Sequence, residues 1–600
     1  MLATSSTVLC SVPLSSRFYQ KAGSFAAPRF HPYLCRCRTG MVIKMKTSAI
    51  RHLSFYPFVQ SLARDKALFR LDAAYRDLSA AELIWWKRTE PENRHAIPMV
   101  IRYEDQNTTQ WTSCANFSEE AHYIKYAFKL NDTDGKTWWL NSLGIQDVFA
   151  LEGSYEILQI NDTDIISVPD WAKGCIYYQI FPERFARGTE IRKDLADWDS
   201  APTRDNYMGG TLPGICDKIS YLKDLGVECI YLNPIFLADF NHKYATTDYF
   251  QIDPLFGTEQ DLIALVDTAH QNGIKIILDG VFNHVGIHFA PFNDLVHNGE
   301  ASQYKGWFYP KHYPIDITPE CYECVGDYPY MPRLNGSNSD VRKYVLDVLL
   351  YWLDRAHIDG WRFDVADELD RHAVIWWREE VKKKYPDAVL LCETWGDASN
   401  MLGPDGFDCA MNYLFRDSMI DFFAHGSISE SELNVRLTNM LMRYPDQMNH
   451  AMYNCIGSHD TARFLTECKN EHWKLKLAMA FQMLFLGSPA IYYGDELGMT
   501  GENDPGCRGG MIWEHPDQDL LVWEKKLVQY RKEHESVRRG TYETLIADNQ
   551  RHLFAFRRSY GSDSVITVFN SGESTQYLDF TEAEESVDVQ PHSVKIITKS

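Results

Sequence analysis

Gly360-Trp361-Arg362-Phe363-Asp364-Val365-Ala366-Asp367-Glu368 reads as an apolar strand that suddenly carries charge. Side chains alternate along a strand. Trp361, Phe363 and Val365 therefore belong to one face, and Arg362 and Asp364 to the other. Two charges in a buried strand are costly unless they pair. Alone, the stretch reads as a structural ion pair at the end of a core strand, an arrangement that also perturbs pKa values. Its surroundings point elsewhere.

From 172 to about 515, apolar runs alternate with amphipathic ones. The strand candidates are Ile176–Ile180, Glu228–Asn233, Lys275–Phe282, Trp361–Ala366, Ala388–Trp395, Phe407–Tyr413, Ala451–Ser458 and Ser488–Tyr493. Helical runs such as Glu259–Asn272 and Val341–Ala356 separate them. Eight such units predict an α/β fold, a (β/α)8 TIM barrel over 172–515. An irregular insertion, 284–335, rich in Pro, Tyr and Asp, follows barrel strand 3. Residues 45–165 alternate with period two around the turn Asn131-Asp132-Thr133-Asp134-Gly135 and predict an N-terminal β-sandwich. Residues 516–600 open with a helical run, Leu520–Glu535, and continue as strands, predicting a C-terminal β-sandwich.

At 600 residues the chain is too long for one core. Its net charge of −22 disfavours nucleic acid and anionic membrane surfaces as partners. No apolar run is long enough to span a bilayer. The aromatic content of 13% suits sugar-ring contacts as well as core packing. The 14 Cys are scattered without even spacing, which fits a reducing compartment better than a disulfide framework. Cys321-Tyr-Glu-Cys324 lacks the second pair or the His that zinc would require. The first acidic residue is Asp65, and residues 1–44 are rich in Ser, Arg and Ala. That stretch is expected to be a disordered extension, either an organelle-targeting segment or a misplaced start ahead of Met41 or Met45. The misplaced start is preferred, with a cytoplasmic protein as its consequence.

In a barrel, catalytic groups sit at the C-terminal ends of the strands. Strand 3 ends Asp279-Gly-Val-Phe-Asn283-His284, and strand 4 carries Arg362 and Asp364. Strand 5 ends Cys392-Glu393-Thr394-Trp395, and strand 7 ends Gly457-Ser458-His459-Asp460. Each alone reads as a turn, an ion pair or a helix cap. Four at one rim are the equipment of glycoside hydrolysis, which needs two carboxyls flanking the scissile bond. Asp364, beside Arg362, is the expected nucleophile, because a neighbouring cation favours the ionised form. Glu393, between Cys392 and Trp395, is the expected acid, kept protonated by burial. Asp460, His459 and His284 would hold sugar hydroxyls.

These four clusters, in this order and spacing, resemble the conserved regions of the α-amylase family of glycoside hydrolases (family 13). Met331-Pro-Arg-Leu-Asn335 resembles a block of its neopullulanase, cyclomaltodextrinase and maltogenic amylase subfamily. So do Tyr178–Phe185, His242-Lys-Tyr244, Asp248-Tyr-Phe250, and Gly494-Asp-Glu496 through Asp504-Pro-Gly-Cys-Arg508. The resemblance covers about 47–600 and includes a starch-binding-like N-terminal module.

The resemblance implies a retaining double displacement, with Asp364 as nucleophile, Glu393 as acid/base and Asp460 as transition-state stabiliser. It implies that His284, Arg362 and His459 hold the sugar at the cleaved bond while Tyr244 stacks on it. Asp504 and Arg508 would contact the next sugar outward, and Trp395 would border the leaving-group side. It also implies a homodimer, α-glucan oligosaccharides as substrates, and no required cofactor. Phe363, Asp367 and Cys392 depart from the subfamily's Leu, Asn and Gly, so an unusual pH profile is expected from positions 363 and 367. The loop Arg187–Asp194 lacks the Asn/Asp-rich calcium-binding pattern, so neither a structural calcium nor any other metal is expected. An exo-acting α-glucosidase of the same fold and a non-catalytic amylase-like binding protein are the competing readings.

Overall fold

The computed structural model describes residues 45–189, 194–580 and 585–599. The 1–44 extension and residues 190–193 of the Arg187–Asp194 loop lie outside them. Eight short apolar runs form one parallel sheet: β1 (Tyr177–Ile180), β2 (Cys229–Leu232), β3 (Lys275–Gly280), β4 (Gly360–Phe363), β5 (Val389–Cys392), β6 (Cys409–Ala410), β7 (Tyr453–Cys455) and β8 (Ser488–Tyr492). The order is β6-β5-β4-β3-β2-β1-β8-β7. A parallel bridge between Met411 and Tyr453 joins the two ends and closes the barrel. β1, β2, β4 and β5 are buried throughout. One face fills the barrel and the other is covered by helices, so the strands read as continuous apolar runs.

The helices begin where the sequence supplies caps. Thr258 and Asp261 form a reciprocal capping box ahead of Glu259–Gln271. Leu262, Leu265, Val266 and Ala269 of that helix are buried, the spacing of a single apolar stripe. Asn338 caps Ser339–Arg355 by accepting from Asp340 and Val341.

β4 stops at Phe363, three residues short of the expected Ala366. Val365 adopts left-handed backbone (φ 45°, ψ 48°), so it does not share the face of Trp361 and Phe363. The register sets Asp279 opposite Arg362, and Gly280, Phe363 and Cys392 level with one another. The next residues along, Asp364 and Glu393, therefore emerge at one rim. Within the insertion, an antiparallel bridge between His284 and Arg333 brings the Met331–Asn335 block back to that rim.

The N-terminal region forms two antiparallel sheets around its own core, which includes Phe69, Leu71, Leu83, Trp85, Tyr126 and Phe128. The C-terminal region pairs Thr541–Asp548, Leu553–Tyr560, Asp563–Asn570 and Ser593–Lys599 in one sheet. A two-stranded ribbon, Gln576–Phe580 with Glu585–Val589, accompanies it, so the second layer is narrow. The expected helix before it runs Gln518–Glu533 and packs Leu527 and Val528 into the barrel core. Among the described residues, no helix is long and apolar enough to cross a membrane.

Candidate active site

Arg362 lies at the centre of the rim and is fully buried. Its Nη1 donates to Asp279 Oδ1 at 2.8 Å and to Asp364 Oδ1 at 2.7 Å. Its Nη2 is paired with Glu393 Oε2 at 2.7 Å. Three strands, β3, β4 and β5, thus converge on one guanidinium. Asp364 and Glu393 are each 5% exposed. The Val365 amide donates to Glu393 Oε2 at 2.9 Å, and the Glu393 amide to the Phe363 carbonyl at 3.0 Å.

A second network lies beside the first. Tyr244 donates to Asp279 Oδ2 at 3.0 Å, and its ring stacks on His459 with centroids 5.5 Å apart. Asp460 Oδ2 is 3.1 Å from His459 Nε2, and Asp460 Oδ1 accepts from Arg508 Nη2 at 3.1 Å. Arg508 Nη1 also pairs with Asp504 at 2.8 Å. Both ring nitrogens of His284 are buried with no hydrogen-bond partner among the described residues, poised for a ligand. Trp395 is 52% exposed and stacks on Tyr413 at 4.2 Å. Tyr413 hydrogen-bonds Ser458, whose hydroxyl accepts from the Asp460 amide, so Trp395 is tied to the same rim. All ten expected site residues therefore lie in this one assembly.

Burial pushes the Asp364 carboxyl well up, Glu393 and Asp279 push further, and Arg362 opposes them. Glu393 and Asp279 are also raised by burial against the pull of Arg362. One cation divided among three buried carboxyls cannot keep all three ionised. Burial and mutual repulsion thus favour the protonated forms of Asp364 and Glu393, and the Arg362 charge favours the ionised ones. This corrects the expectation that Arg362 by itself holds Asp364 ionised. Burial lowers His284 to about 4, and burial with the nearby Arg508 and Arg362 lowers His459 well below the usual imidazole range. Both rings are therefore neutral hydrogen-bonding groups at neutral pH.

Two of the departures act away from the chemistry. Phe363 points into the layer between barrel and helices, against Phe282, Trp377 and Phe407. Asp367 is exposed, with Thr394 Oγ1 at 3.5 Å. Cys392 is buried, and burial raises its thiol.

Sequence reasoning passed over the groups that hold the site from below. Asp279 was seen at the rim but given no role, yet it accepts from Arg362, Tyr244 and Tyr231, the last at 2.6 Å. Gln179 binds His459 Nδ1 at 2.7 Å and Asn233 at 3.0 Å, and Asn233 donates to Tyr244 at 3.0 Å. The signal available was a polar residue inside an otherwise apolar strand run, at Gln179 and Asn233.

The alpha amylase catalytic-domain family matches residues 179–560, and the alpha amylase N-terminal ig-like domain matches 45–158. Cyclomaltodextrinase from Thermoanaerobacter pseudethanolicus is 39% identical over 555 residues, 91% of this chain and 96% of that one. Neopullulanase 2 from Thermoactinomyces vulgaris is 39% identical, covering 89% of this chain and 93% of its own length. A solved cyclomaltodextrinase structure superposes with a TM-score of 0.84 at 35% identity, over 88% of this chain and 92% of that one.

Proposed function

The chain belongs to the α-amylase family of glycoside hydrolases, and on that premise we propose that it is a retaining α-glucan hydrolase acting on cyclodextrins, maltodextrins or pullulan, with some transglycosylation. The observation that carries the reading is the single guanidinium shared by Asp279, Asp364 and Glu393. Two carboxyls on the adjacent nitrogens of one Arg suit the short separation of retaining enzymes, about 5–5.5 Å, which leaves no room for a water between them and the sugar.

Asp364 attacks the anomeric carbon while Glu393 gives its proton to the departing glycosidic oxygen. The positive charge that develops on the sugar favours ionised Asp364, while burial keeps the acid proton on Glu393. Glu393 then takes a proton from the water, or from the sugar hydroxyl, that displaces Asp364. Asp460 and the neutral His284 and His459 bind sugar hydroxyls, and Arg362 and Tyr244 complete the cleaved-bond subsite. Asp504 and Arg508 serve the next sugar outward, and Trp395 offers its open face to the acceptor.

The test is product analysis with β-cyclodextrin, pullulan and soluble starch in parallel. Opening of the cyclodextrin ring is expected, because an endo-acting cleft needs no chain end. An intact ring with glucose released from maltodextrin would favour the exo-acting α-glucosidase. Glu393→Gln is expected to lower kcat by several orders of magnitude while leaving substrate binding within a few-fold. Wild-type turnover in that variant would remove Glu393 from the chemistry.

The same reading takes the protein as a homodimer, testable by light scattering coupled to size exclusion. It divides the chain at 45–165, 172–515 and 516–600, which limited proteolysis would check. An intracellular maltogenic amylase of Bacillus subtilis, 40% identical over 472 residues, supports a cytoplasmic location, testable by fractionation.

A further inference from the structure

Val365 is a β-branched residue in left-handed backbone, between the nucleophile Asp364 and Ala366. Such a residue is strained there unless its neighbours hold it. They do. The Asp364 amide donates to the Gly280 carbonyl at 3.1 Å, and the Ala366 amide to the Glu393 carbonyl at 3.1 Å. The reversal of the chain between these two bonds turns the Val365 N–H onto Glu393 Oε2 at 2.9 Å. Arg362 Nη2 reaches the same oxygen at 2.7 Å.

We propose that Val365 is a positioning residue whose strained turn aims its amide at Glu393 Oε2 and, with the Arg362 charge beside that oxygen, makes Oε1 the oxygen that carries the acid proton. The inference rests on Glu393 being the acid/base. Oε2 already accepts the Val365 amide and faces the Arg362 guanidinium at 2.7 Å, so a proton placed on it would meet a donor and a positive charge and is held less well than on Oε1. The Oε1 proton passes to the glycosidic oxygen as the bond to the anomeric carbon breaks and the bond from Asp364 forms. In the second step Oε1 takes the proton from the attacking water. The backbone strain thus sets the direction of proton delivery in a carboxyl whose two oxygens would otherwise be equivalent.

Replacing Val365 with 2-hydroxy-3-methylbutanoic acid turns its N–H into an ester oxygen and keeps the side chain. A hydrogen bond to the ionised carboxylate lowers its pKa, so its loss raises it. The alkaline limb of kcat/KM on maltotriose is expected to move up by about one unit, the size of one charge-assisted hydrogen bond. kcat/KM on maltotriose is expected to fall about tenfold. On α-maltosyl fluoride, whose leaving group needs no proton, it is expected to stay within about threefold. An alkaline limb that stays in place overturns the proposal. Val365→Asn keeps the N–H and tolerates left-handed backbone, so its alkaline limb should match the wild type; a shift of a unit there would assign the effect to the side chain and also overturn it. Glu393→Gln on the same two substrates keeps the premise separate. Loss on maltotriose with activity retained on the fluoride supports Glu393 as the acid, and equal loss on both refutes that assignment.

Discussion

Glu524→Gln should stabilise the protein above neutral pH and do little in acid. Glu524 is 1% exposed, and neither carboxyl oxygen meets a hydrogen-bond donor among the described residues. It lies on the helix Gln518–Glu533, in the field of Glu496 and Asp495 on the turn after β8. Glu496 has taken the local donors, Tyr178, Tyr221 and the Gly494 amide, at 2.8, 2.7 and 2.9 Å. Asp495 is bound by Arg463 at 2.7 Å. Burial, then the two neighbouring carboxyls, pushes Glu524 up from 4.5 to about 8.

The folded pKa lies above the unfolded one, so between them the folded chain binds more protons and loses stability as pH rises. Nothing is lost below about pH 4.5. The loss grows to roughly 3 kcal/mol at pH 7 and is complete, at roughly 5 kcal/mol, above pH 8. Gln cannot ionise and stands in for the protonated acid. Calorimetric melting of both proteins at pH 5 and pH 8 is the assay. Near-equal melting temperatures are expected at pH 5, and a variant several degrees more stable is expected at pH 8. The same gap at both pH values, or a variant that is less stable at pH 8, would refute the argument.

Asp279→Asn leaves Arg362 without one of its three carboxyl partners and weakens the hold on Tyr231 and Tyr244. A loss of about 3 kcal/mol in stability is expected, read by denaturant unfolding, with kcat down at least a hundredfold in the cyclodextrin assay. Trp395→Ala removes a half-exposed ring that rests on Tyr413. A bound acceptor sugar should lose about 1 kcal/mol of contact. The transfer-to-hydrolysis ratio should then fall about fivefold, with hydrolytic kcat within about threefold, as read by product chromatography; an unchanged ratio would separate Trp395 from acceptor binding.

The positions of the elements were readable because each apolar run has one periodicity. Seven of the eight strand runs overlap observed strands of three residues or more, and the eighth retains only Cys409–Ala410. Boundaries were less readable. Trp361–Ala366 looks continuous in hydropathy, but the chain leaves the sheet at Asp364 and turns left-handed at Val365. Val has no local preference for that turn; the backbone bonds to Gly280 and Glu393 impose it.

The barrel, its flanking β regions and the residues at the rim were legible in the order of the residues alone. Those follow from alternation and from charged residues at the ends of apolar strands, which are local properties of the chain. How the charges are shared depends on the folded barrel. Asp279, Asp364 and Glu393 come from three strands and meet on one Arg362 because the parallel register brings their ends level. Protonation depends on burial and on distances between groups far apart in the chain. The contest between burial and Arg362 over Asp364 and Glu393, the neutral His284 and His459, and the turn at Val365 therefore exist only once the barrel has closed.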